Sequence, residues 1–272
     1  MEENREEIYS FFDSHAHYYD DRFYGEENPQ GAEALLEDLF SKGLRGVLNV
    51  SASYPASVKV IEQAKRFDNV YAAVGVHPEE LVSEGLSFDE QIKGIRSLLA
   101  DKEKNKIVAL GEIGLDYYWR QDNKEEQKKC FEAQLALAEE FSLPVIIHDR
   151  EAHGDCFDTV IKYPNVKGVF HSYSGSAEMA KELIKRGWYI SFSGVVSFKN
   201  AAKIKEVAAV LPDDRILIET DAPYLAPHPF RGKMNHSGRL FYTASALANE
   251  RNTDVNTIAE LTYQNAKTLF NI

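Results

Sequence analysis

The chain has 272 residues, of which 44% are hydrophobic and 11% aromatic, enough to bury a full core; an α/β barrel of about 250 residues would occupy it as one domain, 1–272. A formal net charge of −12 argues against a tight non-specific polyanion binder, and no apolar run approaches the ~18 residues of a membrane span. The acidic start MEENREEIYS is unlike a signal peptide, and the two cysteines, Cys130 and Cys156, sit in helical pattern, so a reducing cytoplasm and no disulfide framework are expected.

The first seven residues read as a loose lead-in, followed by an apolar run near 8–14 that ends in FFDSHAH. A helix over 30–42 has Leu35, Leu36, Leu39 and Phe40 on one face and Gly43 as its stop. Strand-like runs follow near 46–51, 70–76 and 106–112, separated by helical stretches at 55–67 and 88–100. The next helix, 123–141, is expected to open on a capping box of Asp122 and Glu125 and to bury Phe131, Leu135 and Ala138. Strands near 144–148, 167–171, 188–193 and 215–220 then alternate with helices at 152–162, 176–186 and 200–210, and helices at 239–250 and 255–270 close the chain. The strands are continuous apolar runs, as in parallel sheets covered on both faces. Eight βα units without a Pro-, Gly- or Ser-rich linker predict a closed (β/α)₈ TIM barrel. The runner-up, a doubly wound open sheet, would show a Gly-rich turn after its first strand, where this chain has Ser-His-Ala-His.

In a barrel the C-terminal strand ends converge on one pocket. Strand one ends at His15 and His17, strand four near Glu112, strand five at His148, strand six at His171 and strand eight at Asp221. Singly, each has an ordinary reading: a polar strand end, a mouth acid, a capping or buried histidine, a turn aspartate. Together they make an N/O donor set for two divalent cations, with Glu112 as the bridge and Asp221 as the residue that orients a water and takes its proton. Glu219, one layer below Asp221, is expected to hold Asp221 or a ligand histidine. Arg150, Arg231, Lys233, Asn235 and Arg239 are candidates for gripping phosphate, and His77 for contacting substrate or closing a turn. Tyr18, Tyr19, Tyr117, Tyr118 and Trp119 are placed on mouth loops, for loop packing or for stacking on bases. His153, His228 and His236 fall in helical or loop positions with a weaker claim on function.

The stretches FFDSHAH, AAVGVHP, ALGEIGLDYY, PVIIHDREA, FHSYSGS, ILIETDAPYLAP and RGKMN occur in this order from about Tyr9 to Ile272. With them the chain resembles the TatD family of metal-dependent hydrolases, within the amidohydrolase superfamily. The resemblance implies a barrel with one or two divalent metals: His15, His17 and Asp221 on the first, His148 and His171 on the second, and Glu112 bridging. It also implies 3′→5′ exonuclease action on DNA or RNA, or removal of D-amino acids from tRNA. Two stretches depart from the family: Ser172-Tyr173 stand where Cys and Phe are common, and His236-Ser237 where Glu-Pro is common. The second departure lies in a loop expected to border the pocket and to bear on substrate choice.

Three functions follow as candidates: a metal-dependent 3′→5′ exodeoxyribonuclease, a D-aminoacyl-tRNA deacylase using the same site, and a non-catalytic nucleic-acid-binding barrel. The metal is left open among Mg²⁺, Mn²⁺ and Zn²⁺, with magnesium the least natural match to four imidazoles. The expected substrate is a nucleic-acid end. With no long unexplained apolar stripe, a monomer is expected, and no membrane contact.

Overall fold

The computed structural model describes residues 10–26 and 28–272. The expected lead-in and the start of the first expected strand lie outside the described residues. Eight parallel strands form a nearly closed barrel in the order β1 (Phe12–Ala16), β2 (Gly46–Val50), β3 (Val70–Val74), β6 (Ile107–Asp116), β7 (Val145–Arg150), β8 (Gly168–Phe170), β9 (Tyr189–Phe192) and β10 (Ile216–Ile218). A short hairpin of β4 (Val82–Ser83) and β5 (Leu86–Ser87), not foreseen from the sequence, sits between β3 and the next helix. The ring is stitched across its last gap just above the strand ends. His17 N–H donates to the Ala222 carbonyl at 2.7 Å, and Asp221 N–H to the His15 carbonyl at 2.9 Å.

The outer layer consists of α1 (Gly31–Ser41), α2 (Tyr54–Ala64), α3 (Phe88–Leu99), α4 (Lys124–Phe141), α5 (His153–Val160), α6 (Ala177–Lys185), α7 (Ala202–Val210), α8 (Leu240–Arg251) and α9 (Val255–Phe270). Several start where the side chains dictate. Ser53 caps α2 with a proline in its first turn, Ser176 and Asp254 cap α6 and α9, and Ser87 with Glu90 forms a full capping box on α3. Gly43, at φ 109°, ends α1, with Leu44 N–H turned back to the Leu39 carbonyl. The capping box expected at Asp122 and Glu125 is absent. Helix α4 is preceded by Asn123, which makes no side-chain cap bond and instead accepts from Gln127 Nε2 at 2.8 Å. Gln127 also bonds both backbone groups of Asp116 and the Arg120 carbonyl, so one buried amide knits the whole turn before the helix.

Two apolar layers hold the fold. Every barrel strand contributes to an interior cluster, with Phe12, Leu48, Ala73, Ala109, Ile146, Val169, Tyr189 and Leu217 among its members, and Ala266 and Phe270 of α9 pack against its lower end. The larger cluster lies between strands and helices, around Phe131, Phe170, Trp188 and the leucines of α1 and α3. Truncating one such buried Leu or Phe to Ala costs about 2–5 kcal/mol.

Two bulges aim the strand ends. Phe12 faces the barrel interior, and strict alternation would turn His15 and His17 away from it. The β1–β2 ladder slips one residue between Asp13 and Ala16, which swings both histidines back over the mouth. On β6, Ala109 faces inward and the ladder with β7 slips between Leu110 and Ile113, which does the same for Glu112.

Candidate metal centre

Glu112, 4% exposed, is the hub of the site, and its two oxygens face different histidines. Oε2 lies 3.4 Å from His15 Nε2 and 3.7 Å from His17 Nε2. Oε1 lies 2.7 Å from both His148 Nδ1 and His171 Nε2. Asp221 Oδ1 completes the first group, 3.6 Å from His15 Nε2 and 3.2 Å from His17 Nε2, which are 3.1 Å from each other. Atoms bound about 2.1 Å from one shared cation sit roughly 3.0–3.4 Å apart, so the first group has cation-binding spacing. The second is drawn to hydrogen-bond distance, with His148 Nδ1 and His171 Nε2 3.3 Å apart. Three overlapping triads, His15–His17–Glu112, His15–His171–Asp221 and His77–Glu112–His148, each keep their donor atoms within 4.8 Å.

Outward ring nitrogens fix three of the rings, whereas His15 Nδ1 is buried without a hydrogen-bond partner. His17 Nδ1 donates to the Val50 carbonyl at 2.7 Å, His148 Nε2 meets Asp116 Oδ2 at 3.0 Å, and His171 Nδ1 meets Glu219 Oε1 at 3.2 Å. Each outer bond leaves the inner nitrogen as the one presented to a metal. His15 stacks on His171 with ring centres 4.1 Å apart. Burial acts against charge on every ring here; at His15 it prevails and lowers the pKa, whereas at His148 and His171 the carboxylates prevail. At His148 the bonds to Asp116 and Glu112 outweigh burial and bring its pKa up to about 9. Glu112 and Glu219 likewise outweigh burial at His171 and raise it. Burial raises Glu112 and Asp221, but the surrounding imidazoles outweigh it and hold both below the usual carboxylate range. Two ionised carboxylates and four imidazoles, His148 and His171 giving up a proton when an ion enters, make a donor set that fits borderline divalent cations.

The family described as TatD related DNase matches residues 12–271 of this chain. The chain belongs to the TatD family of metal-dependent hydrolases. It is 39% identical over 264 residues to the uncharacterized metal-dependent hydrolase YabD of Bacillus subtilis, covering 96% of this chain and 99% of the relative. It is 33% identical over 262 residues to YcfH of Escherichia coli, also an uncharacterized metal-dependent hydrolase, covering 96% and 95% of the two chains. The crystal structure of YjjV, a TatD homologue from Escherichia coli, superposes with a TM-score of 0.87 at 30% identity, covering 97% of this chain and 99% of that one.

Within this TatD barrel the six donor residues expected at strand ends converge, and Glu219 lies under His171. His77 borders the chamber; its Nδ1 accepts from Glu79 N–H at 3.2 Å, which puts the ring proton on Nε2, 3.8 Å from Glu112 Oε1. Burial, followed by the charge of His148, lowers its pKa to about 3. Arg150 lies at the chamber rim with its guanidinium 4.3 Å from the Tyr118 ring centre. Arg231 and Lys233 are exposed on a neighbouring cavity.

Other expectations give way. Asn235 is fully buried and donates to the Thr220 carbonyl at 2.9 Å, so it anchors the loop from beneath instead of facing substrate. Arg239 reaches the Met234 carbonyl and lies over Phe230, which ties it to the same loop. Tyr18 is fully buried, its hydroxyl 2.8 Å from Ser237 Oγ, and Tyr117 is 8% exposed; neither offers a free face to a base. Tyr118 and Trp119 remain exposed. His153 pairs with Asp149 at 2.9 Å. The family departure at His236-Ser237 sits under the loop: Ser237 is buried and donates to Asp13 Oδ2 at 2.7 Å. It bears on how the loop is anchored to β1, not on the pocket wall.

Asp116 is the residue that sequence reasoning missed. It lies four positions beyond Glu112 on the same face of β6, and this spacing was the available signal. Among the described residues no helix is long and apolar enough to cross a membrane.

Proposed function

We propose that this chain is a divalent-metal-dependent 3′→5′ exodeoxyribonuclease, working as one domain on the end of a DNA strand in a reducing cytoplasm. The observation that carries the reading is the division of Glu112 between two histidine pairs, one carboxylate oxygen to each. His15, His17 and Asp221 would hold one ion, His148 and His171 the second, and Glu112 would span both. Bound there, manganese, zinc or magnesium would supply an acidified water and a counter-charge for a phosphoryl oxygen.

The chain's own residues supply the rest. Asp221 is the more open of the two acids, its side chain 15% exposed against 5% for Glu112, and against the effect of burial His17 and the neighbouring histidines lower its pKa. It is the group to orient the attacking water and accept its proton. His77 carries its proton on the nitrogen that faces the chamber and donates to a substrate oxygen. Arg150 at the rim, with Arg231 and Lys233 beyond it, grips phosphate oxygens. The family's description as TatD related DNase supports DNA as the substrate class.

The test is a time course on a 5′-labelled single-stranded oligonucleotide, with stripped protein given Mn²⁺ or Mg²⁺ and Asp221→Asn run beside it. A metal-dependent ladder that shortens stepwise is expected, with turnover reduced about 10²–10⁴-fold in the variant while its circular dichroism is unchanged. A blank lane from protein shown to carry metal would overturn the nuclease reading and move the substrate to an aminoacyl-tRNA ester.

A further inference from the structure

A cavity of about 710 Å³ lies beside the metal centre, larger than the chamber of about 470 Å³ over Glu112 itself. Tyr224 and Leu225 border both spaces. The larger cavity is cationic and aromatic. Arg22, Arg231 and Lys233 line it, with Glu26 as the acid among the described residues. The Arg231 guanidinium lies 4.8 Å from the centre of the Phe198 ring, and that of Arg22 lies 3.8 Å from the centre of the Tyr224 ring. The chamber over Glu112 has the opposite character, with Asp20, Glu79, Glu80 and Asp116 on its walls and Arg150 as their counterweight. In a chain of formal charge −12, cations gathered around one cavity, Arg22 beside Asp20 at 3.3 Å and Arg231 and Lys233 exposed, mark the place where an anion is held.

We propose that this cavity is the subsite for the nucleotide on the retained side of the scissile phosphodiester. The base lies against the platforms that the Phe198 and Tyr224 rings form with the Arg231 and Arg22 guanidiniums, and the phosphate that continues the strand meets the outer N–H groups of Arg231 and Lys233. The proposal rests on the nuclease reading above and gives it a direction. A strand running away from the cut carries another phosphate with each nucleotide, which suits the cationic side. A terminal 3′ nucleoside carries only hydroxyls beyond the cut, and these donate to the acids of the chamber. Guanidinium planes laid on aromatic rings give flat, positive faces, and such platforms stack on any base without reading its sequence. The Tyr224 ring centre is 6.1 Å from that of His17, so neighbouring nucleotides of one strand reach both spaces.

Two substrates with the same terminal thymidylate separate the two spaces. The oligonucleotide (dT)₄ fills the cavity with its retained strand, whereas the p-nitrophenyl ester of thymidine 5′-phosphate leaves the cavity empty. Phe198→Ala is expected to lower kcat/KM for (dT)₄ about 5- to 150-fold, the range for one lost base–aromatic stack. The p-nitrophenyl ester should change by less than about twofold, and Phe198→Tyr should restore the oligonucleotide rate. Phe198→Leu, which keeps an apolar side chain but loses the ring, is expected to act in the same sense if Phe198→Ala does not fold. Equal losses on both substrates, or none on either, overturn the subsite while leaving the nuclease standing. If the wild type cleaves neither substrate, the nuclease reading falls. Fluorescence anisotropy of labelled (dT)₈ then tests the cavity itself, and equal affinity in wild type and Phe198→Ala overturns it too.

Discussion

Asp116 shows how a single side chain sets the chemistry of another. Its Oδ2 takes the outer nitrogen of His148 at 3.0 Å, while Oδ1 accepts the backbone N–H groups of Tyr118 and Trp119. Asp116→Asn keeps an oxygen for the backbone but places an amide where His148 needs an acceptor. Affinity for Mn²⁺ or Zn²⁺ should fall about 10–100-fold with the fold intact, as measured by competition against a chromophoric chelator. Unchanged affinity would remove Asp116 from the site. Residue identity at strand ends was legible because acids and histidines interrupt apolar runs there. His15, His17, Glu112, His148, His171 and Asp221 all stand out in that way. Asp116 did not, because strand four was read as ending at Glu112 and the aspartate fell into the following loop. Asn235 was misplaced for the converse reason. A polar residue in a basic loop reads as exposed, and only the folded loop shows that its amide is buried on the Thr220 carbonyl.

The strands supply geometry that residue types alone do not carry. The parallel ring and the helices that cover it follow from the alternation of short apolar runs with helical segments, which one sequence displays well. The bulges on β1 and β6 do not follow, because a one-residue slip leaves an apolar run looking the same. The β4–β5 hairpin was missed because two residues per strand carry no periodicity. Between Glu112 and Asp116, Gly114 sits at φ 144° opposite His148 on β7, and a Cβ there would stand 2.0 Å from the His148 carbonyl oxygen. Side chains rarely adopt that φ, and the oxygen belongs to backbone that cannot swing aside. Gly114→Ala is therefore expected to lose more than about 3 kcal/mol in urea unfolding or to fail to fold. Gly154→Ala on α5, where a Cβ meets nothing within 4 Å, is the control and should be neutral or gain up to about 1 kcal/mol. A Gly114→Ala protein of normal stability would mean that β6 and β7 do not pair so closely here.

At the scale of the whole molecule, the formal charge of −12 sets how a nucleic-acid strand is held. The general field repels a polyanion, so affinity must come from a few local cations and from the metal centre. Composition made this repulsion legible at once. It did not show that Arg22, far away in sequence, joins Arg231 and Lys233 on one cavity, because only the closed ring brings the two loops together. A protein that met its strand through a broad basic face would show a steep salt dependence. Here the slope should be shallow and traceable to named side chains. Each phosphate contact on a single strand contributes about −0.7 to the slope of log affinity against log salt. The double variant Arg231→Ala/Lys233→Ala removes two contacts, so the slope for an oligonucleotide should shrink by about 1.4. Its KM at low salt should rise far more for the oligonucleotide than for bis-p-nitrophenyl phosphate, which is too small to reach the cavity. Steady-state kinetics across a salt series on both substrates measures slope and ratio together. An unchanged slope would retire both residues as phosphate contacts. A KM that rises equally on the small ester would instead locate their effect at Asp221, ten residues or more upstream on the same loop.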